Sequence, residues 1–133
     1  MEINKLLPIY VTDEKAFNDK DVIIREGSRS DGALVLLKGQ AKVQKRTAHA
    51  TVTIDTLKPG AILGEMFLLA PELQGATATV IADGAVRVGY LNEALIRREF
   101  SALSPQLREV IRALIHRLYQ ATEQVGEFAV KKE

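Results

Sequence analysis

Short apolar or alternating segments, separated by turns that contain glycine, occupy residues 22–91 of the sequence. Val22–Ile24 is β-branched, residues 33–37 form a continuous apolar run, and residues 40–45 alternate polar with apolar side chains. Such segments are typical of β-strands, and strict alternation indicates one face in water. Strands this short and this closely spaced predict a mainly β protein built as an antiparallel jelly roll.

Further strands complete the predicted roll. Thr51–Leu57 is expected to return after a hairpin connection at residues 46–50, and Pro59-Gly60 to turn the chain again. Residues 77–82 and 85–91 are predicted as two strands joined by a hairpin turn at Asp83-Gly84.

Two helices are predicted after the strands. Asn92 is a candidate N-cap for a short helix over residues 93–100. Ser104-Pro105 then marks the start of a long helix, because no proline follows before Glu133. If helical to Val130, this segment is about 39 Å long, more than a small β-roll can cover.

The long helix carries an unbroken heptad pattern of apolar residues, which predicts a parallel two-stranded coiled coil and hence a homodimer. Val110 and Ile115 lie off this pattern and are expected to pack against the roll. The alternative is one broad apolar face folded back on the chain's own core. The predicted dimer interface consists of Leu107, Ile111, Leu114, Leu118, Ala121, Val125 and Phe128.

Size and composition restrict the class of protein. The 133 residues suit a single domain, divided into an N-terminal segment (1–16), a β-roll (17–91) and C-terminal helices (92–133). The 18 basic residues nearly balance the 17 acidic ones, so bulk charge does not indicate a nucleic-acid or membrane partner. Without cysteine, a signal peptide or a long apolar run, the sequence predicts a cytoplasmic protein.

Residues 60–80, which we call the cassette, contain the candidate binding site. Gly60 and Gly64 bracket an apolar tripeptide, and Glu65 precedes the apolar run of residues 66–69. This pattern predicts a strand that runs into one helical turn. The exposed amides at the start of a helix attract anions and hydroxyl groups, so the turn is a candidate ligand site.

The cassette resembles that of the cyclic-nucleotide-binding domains, the family of the catabolite activator protein and of the regulatory subunits of cyclic-nucleotide-dependent kinases. That family carries Phe-Gly-Glu and, some ten residues later, Arg-Ser/Thr-Ala-x-Val. Here the two motifs stand as Leu63-Gly64-Glu65 and Ala76-Thr77-Ala78-Thr79-Val80. The resemblance extends from Phe17 to Ala129, with matches at Glu26-Gly27, Gly39, Arg117-Leu118, Thr122-Glu123 and Val125-Gly126.

The resemblance implies a binding site with one defect. Glu65 would accept a hydrogen bond from the ribose 2′-hydroxyl, although it could instead cap its own turn. Ala76 stands where the family has the arginine that binds the cyclic phosphate, which implies a degenerate cassette with weak or lost cyclic-nucleotide binding. The ligand-binding residues, if binding is retained, would be Leu63, Gly64, Glu65, Met66, Ala76, Thr77, Ala121 and Thr122.

Three basic residues are conceivable replacements for the arginine: Lys42, Lys58 and Arg87. Each is instead expected in solvent at a strand edge or turn. Alternatives to the cyclic-nucleotide site are a dimerisation scaffold with a dead pocket and a sensor of another small ligand.

Catalysis and metal binding are not predicted. Jelly rolls include metal-dependent enzymes, but this sequence has no cysteine and no His-x-His pair, and His49 and His116 are far apart. The resemblance therefore implies a regulatory domain without a cofactor. Only residues 130–133 follow the matched region, so no helix-turn-helix and no direct DNA binding are expected. The long helix would instead signal to a protein partner that the sequence does not identify.

Overall fold

The computed structural model describes residues 10–28, 32–64, 68–73 and 75–132, with side chains described up to residue 124. This part of the chain forms six strands followed by two helices, which confirms the predicted mainly β architecture. The elements are β1 (Val11–Phe17), β2 (Val22–Ile24), β3 (Leu34–Arg46), β4 (Thr51–Leu57), β5 (Ile62–Leu63), β6 (Thr79–Leu91), α1 (Glu93–Ser101) and α2 (Pro105–Lys132).

The strands form one antiparallel sheet centred on β3 and β6. Its main order is β1-β6-β3-β4, while β2 pairs with β6 and β5 pairs with β3. Among the described strands, β1 and β4 do not pair with each other, so the sheet is open rather than a closed barrel.

Both faces of β3 are covered, which explains the continuous apolar run at its start. Leu34 and Leu36 pack with Val88 in one buried cluster. Val35 packs with Leu91 in a second cluster, against which Ile96 of α1 is also placed. A strand buried on both faces loses the alternating pattern and becomes uniformly apolar.

The hairpin turn predicted at Asp83-Gly84 is wrong, because β6 continues through both residues. Likewise, residues 34–37 and 40–45 belong to one strand, β3. The glycines mark an irregularity instead of a turn: Gly39 and Gly84 both have positive φ, 90° and 84°. The register between β3 and β6 shifts on both sides of Lys38. Glycine in a strand often marks such a bulge.

The N-terminal boundary also differs from the prediction. β1 begins at Val11, inside the predicted N-terminal segment 1–16, and pairs with β6 as an edge strand. Most of its side chains are exposed, so its sequence lacks the apolar alternation that indicates a strand.

Both predicted helix starts are confirmed. The amide of Leu95 donates to Asn92 Oδ1 at 3.1 Å, and the amide of Leu107 donates to Ser104 Oγ at 3.2 Å. Each side chain thus satisfies an amide of the first helical turn. Within the described chain, neither helix has the length and apolarity needed to span a bilayer.

Candidate functional site

A cavity of about 240 Å³ lies between the sheet, the cassette and helix α2. Most of the lining is apolar, and Asp55, Thr77 and Thr122 add polar groups. Of the predicted ligand-binding residues, the structure brings five together in this lining: Leu63, Gly64, Ala76, Thr77 and Thr122.

The remaining predicted ligand-binding residues are not placed in the cavity. Ala121 lies on α2 with an exposed side chain and does not contribute to the lining. Glu65 and Met66 lie outside the described residues, so the predicted role of Glu65 stays a prediction.

Backbone hydrogen bonds fix the end of the cassette against the loop after β2. The amide of Gly27 donates to the carbonyl of Ala76 at 2.8 Å, and the amide of Ala76 donates to the carbonyl of Ser28 at 2.7 Å. Gly75 has a φ of 65°, and a Cβ there would lie 2.5 Å from the carbonyl oxygen of Gly27. Glycine is therefore required for this close approach, which holds Ala76 and Thr77 at the cavity wall.

Lys45 is a buried residue next to the cavity wall that the sequence interpretation missed, although it does not contribute to the lining. It is only 5% exposed, and its Nζ donates to the backbone carbonyl of Thr77. The same Nζ lies 3.5 Å from Glu26 Oε2 and 3.7 Å from Glu123 Oε1. One signal was present: Ala41, Val43 and Lys45 occupy alternate positions of β3, so the lysine stands where the pattern calls for an inward apolar residue.

The three basic residues considered as substitutes for the arginine are all exposed, as expected. Lys42 Nζ lies 4.0 Å from Asp83 Oδ2, and Arg87 Nη1 lies 3.4 Å from Glu14 Oε1. Neither these two nor Lys58 contributes to the cavity lining.

Two polar contacts of helix α2 with the cassette side of the molecule lie within the part of the chain that the structure describes, in addition to the cavity. One is the ion pair between Glu123 and Lys45. The other joins His116 Nε2 to Glu72 Oε1 at 2.8 Å. The hydrogen bond with His116 is the largest cause that holds the pKa of the Glu72 carboxyl below its usual value, and a backbone hydrogen bond adds to it.

One face of α2 is apolar and exposed. Its residues, which we call the apolar stripe, are Leu107 (45% exposed), Val110 (56%), Leu114 (56%) and Leu118 (51%). The expectation that Val110 packs against the roll is wrong, whereas Ile115 is partly buried. Of the other predicted interface residues, Ile111 is partly buried and Ala121 exposed, and the side chains of Val125 and Phe128 lie outside the described part. Leu118 also lines the cavity.

Comparison with protein families gives a match to the cyclic nucleotide-binding domain over residues 14–102. No curated protein sequence matches significantly.

Among solved structures, the cAMP-bound form of the EAL enzyme Bd1971 is similar, with a TM-score of 0.76 and 22% identity. The match covers 90% of this chain but 31% of the enzyme, so the chain spans about a third of that protein.

Two further structures are similar. A cyclic nucleotide-binding-like protein from Brucella abortus has a TM-score of 0.57 and 28% identity over 71% of this chain and 78% of that one. The regulatory domain of Toxoplasma gondii PKA with cAMP has a TM-score of 0.57 and 21% identity over 78% of this chain and 38% of that one.

Proposed function

Because the chain belongs to the cyclic nucleotide-binding domain family, we propose that it is a non-catalytic regulatory domain with a weakened nucleotide pocket. In this proposal it acts as a homodimer and signals to a protein partner through α2. The observation that carries the proposal is the cavity at the cassette, where Ala76 presents a methyl group in place of the arginine of the family motif.

The missing arginine sets the expected affinity. A guanidinium forms two parallel, charge-assisted hydrogen bonds with a phosphate, which a methyl group cannot replace. Truncating one partner of a buried charged pair costs about 2–5 kcal/mol, or roughly thirty- to several-thousand-fold in affinity. We therefore propose that cyclic nucleotides bind this pocket more weakly than micromolar.

Several features of a nucleotide site remain beside Ala76. Gly64 and Thr77 line the cavity, and Thr77 is 5% exposed. Thr122 adds a hydroxyl from α2, which donates to the carbonyl of Leu118 at 3.0 Å and keeps its oxygen as an acceptor. Two solved relatives of the fold, the EAL enzyme and the T. gondii regulatory domain, contain cAMP. These features support a pocket of the nucleotide class with one missing contact.

The apolar stripe supports the homodimer. Three of its residues, Leu107, Leu114 and Leu118, belong to the predicted heptad pattern and are about half exposed in the single chain. Contiguous exposed apolar surface of this kind marks interaction sites in soluble proteins. A second copy of α2 would cover the stripe along its whole length, and Leu118 would connect the dimer contact to the cavity.

A second candidate is a dimerisation scaffold whose pocket no longer binds a nucleotide. The volume of the cavity favours it, since about 240 Å³ is smaller than the roughly 300 Å³ at which small-molecule sites ordinarily begin. The mainly apolar lining also suits an uncharged ligand of another class.

Melting temperature measured against both protein and cAMP concentration separates these functions. A dimer melts higher at higher protein concentration, and a bound ligand raises the melting temperature by mass action. We expect both effects, with the cAMP effect only at millimolar ligand. Leu107→Asp combined with Leu114→Asp should abolish the dependence on protein concentration.

The matched control is Ala113→Asp with Gln120→Asp, which places the same charges on exposed positions of α2 outside the stripe. It should behave like the parent. A melting temperature that is independent of protein concentration would reject the dimer. A melting temperature that cAMP never raises would reject the nucleotide pocket and leave the scaffold.

A further inference from the structure

The strongest feature outside the family motif is the buried cation of Lys45. Its side chain is 6% exposed, and an ammonium group in such a place is stable only if it is paired and hydrogen-bonded. Three groups meet this requirement: the Thr77 carbonyl, the Glu26 carboxylate and the Glu123 carboxylate. Two carboxylates around one lysine leave a local excess of one negative charge.

The two carboxylates are held differently. Glu26 is 30% exposed, and its other oxygen accepts the backbone amide of Arg46 at 3.1 Å, which ties it to the sheet. Glu123 is 51% exposed, lies slightly farther from Nζ, and belongs to α2. If the Glu123 contact is lost, Lys45 stays paired with Glu26, the less exposed partner. Glu123 is therefore the carboxylate that can leave more easily.

Lys45 also lies beside the defect in the cassette. Its Nζ donates to the carbonyl of Thr77, the residue that follows Ala76. Thr77 and Ala76 line the cavity, whereas Lys45 itself does not contribute to the lining and reaches the pocket only through Thr77. Val43, two positions earlier on the same face of β3, lines the cavity as well. The long, flexible lysine side chain can turn its ammonium group through a few ångströms without moving the strand.

We propose that Lys45 is the anion-binding group of this pocket and that a ligand phosphate displaces Glu123 from it. The proposal rests on the proposed function, since it names the cation and the ligand class of the same pocket. Glu26 and Glu123 already share the Lys45 ammonium, and a third negative charge there is unfavourable, so the more exposed and more distant carboxylate, Glu123, leaves as the anion binds. Binding a phosphate-bearing ligand then releases the Glu123 contact and loosens α2 at that point.

This exchange would add to the proposed weakness of binding, because the ligand must compete with a carboxylate already present. Anion binding and the Glu123 contact weaken each other by the same factor, because thermodynamic linkage is reciprocal. Removing the charge of Glu123 should therefore increase the affinity for the anion by that factor. For a half-exposed pair the factor is small, about two- to fivefold.

The test is calorimetric titration of the parent and of Glu123→Gln with cAMP, adenosine and inorganic phosphate. We expect Glu123→Gln to bind cAMP about two- to fivefold more tightly, with the affinity for uncharged adenosine unchanged. Glu109→Gln removes the same charge from an exposed position of α2 that pairs with Arg112, and it should match the parent. If Glu123→Gln binds inorganic phosphate as tightly as cAMP, the exchange is supported and the ligand is the free ion.

Lys45→Met should weaken cAMP binding at least about tenfold, on the scale of a lost charged pair. Lys42→Met, the same change at an exposed position of the same strand, should not. If Lys45→Met does not fold because Glu26 loses its partner, Lys45→Met with Glu26→Gln removes both charges and carries the test.

A second measurement follows the helix directly. Hydrogen exchange of the α2 amides near residue 123 should be faster in Glu123→Gln than in the parent, and saturating cAMP should speed it in the parent. Equal cAMP affinities of the parent and Glu123→Gln would overturn the exchange, as would the absence of cAMP binding by Glu123→Gln at millimolar concentration. A failure of the proposed function, by contrast, appears in the melting curves of the parent alone.

Discussion

Two glycines in the central strand pair, Gly39 and Gly84, differ in whether the structure leaves room for a side chain. Gly39 of β3 and Gly84 of β6 have nearly the same positive φ, but their surroundings differ. A Cβ at Gly39 would overlap the carbonyl oxygen of Ala85 and lie 3.2 Å from the Cα of Val86, whereas a Cβ at Gly84 would meet nothing within 4 Å.

Alanine at these positions should therefore have unequal effects on stability. Gly84→Ala carries only the conformational cost of a left-handed residue, about 1–2 kcal/mol. Gly39→Ala adds a collision with backbone, which cannot move aside easily, and should cost about 1–3 kcal/mol more. Urea unfolding of the two variants and the parent measures both costs. Equal destabilisation would show that the irregular register does not depend on the close contact at Gly39.

The two residues on which the proposals depend, Ala76 and Lys45, differed in how far the sequence could identify them. Ala76 was found because a motif of fixed spacing singles out one position. The sequence did not identify Lys45, because a charged residue in an alternating strand is ordinarily expected to face solvent. Its burial is decided by Glu26, Thr77 and Glu123, which are distant in sequence and become neighbours only in the folded chain.

At the scale of elements, the contact between Glu72 and His116 joins the cassette side of the molecule to α2. The hydrogen bond with His116 lowers the pKa of Glu72 from its usual 4.5. A carboxyl whose pKa is lower in the folded than in the unfolded chain stabilises the fold at every pH above its pKa in the unfolded chain. That contribution is lost as the pH falls through the lower, folded value.

The stability of the parent relative to Glu72→Gln should therefore decrease when the pH is lowered from neutral to below 4.5. His116→Gln, which removes the largest cause of the shift, should reduce the same pH dependence. Urea unfolding over this pH range gives the comparison, and a carbon NMR titration of the Glu72 carboxyl gives its midpoint directly. A midpoint at or above 4.5 in the folded parent would contradict the proposed link.

The elements differed in how far local sequence determines them. β4 and both helix starts were predicted because alternation and capping are local signals. β1 was missed because an edge strand with exposed side chains has no pattern to detect. The Asp-Gly dipeptide at 83–84 predicts a turn because it usually makes one. In the structure the strand continues, and Gln40 Nε2 donates to Asp83 Oδ2 at 2.6 Å across the strand pair.

At the scale of the whole molecule, the fold could be predicted from strand spacing and from the family motif, whereas the orientation of α2 could not. The heptad pattern placed Ile111 in the exposed interface and Val110 against the roll. The structure buries Ile111 partly and leaves Val110 56% exposed. A pattern of apolar spacing defines a stripe on a helix, but the rotation of the helix about its axis is set by tertiary contacts such as those of His116 and Glu123.

The arrangement of the molecule links ligand and helix in one place. The cavity lies between the cassette and α2, and Leu118 and Thr122 of α2 complete its wall. Any ligand that fills the cavity must therefore touch the helix, and any movement of the helix changes the cavity. In the proposed function, the charge missing at position 76 weakens ligand binding, while the contact between cavity and helix is kept.

The central claim, a nucleotide pocket weakened by one residue, is tested most directly by calorimetric titration of the parent and of Ala76→Arg with cAMP. The control is Ala94→Arg, the same change at an exposed position of α1, which should bind like the parent. We expect the parent to bind more weakly than micromolar and Ala76→Arg to bind at least about thirtyfold more tightly, since the guanidinium restores roughly 2 kcal/mol or more. Micromolar or tighter binding by the parent, or an affinity that Ala76→Arg leaves unchanged, would contradict the account.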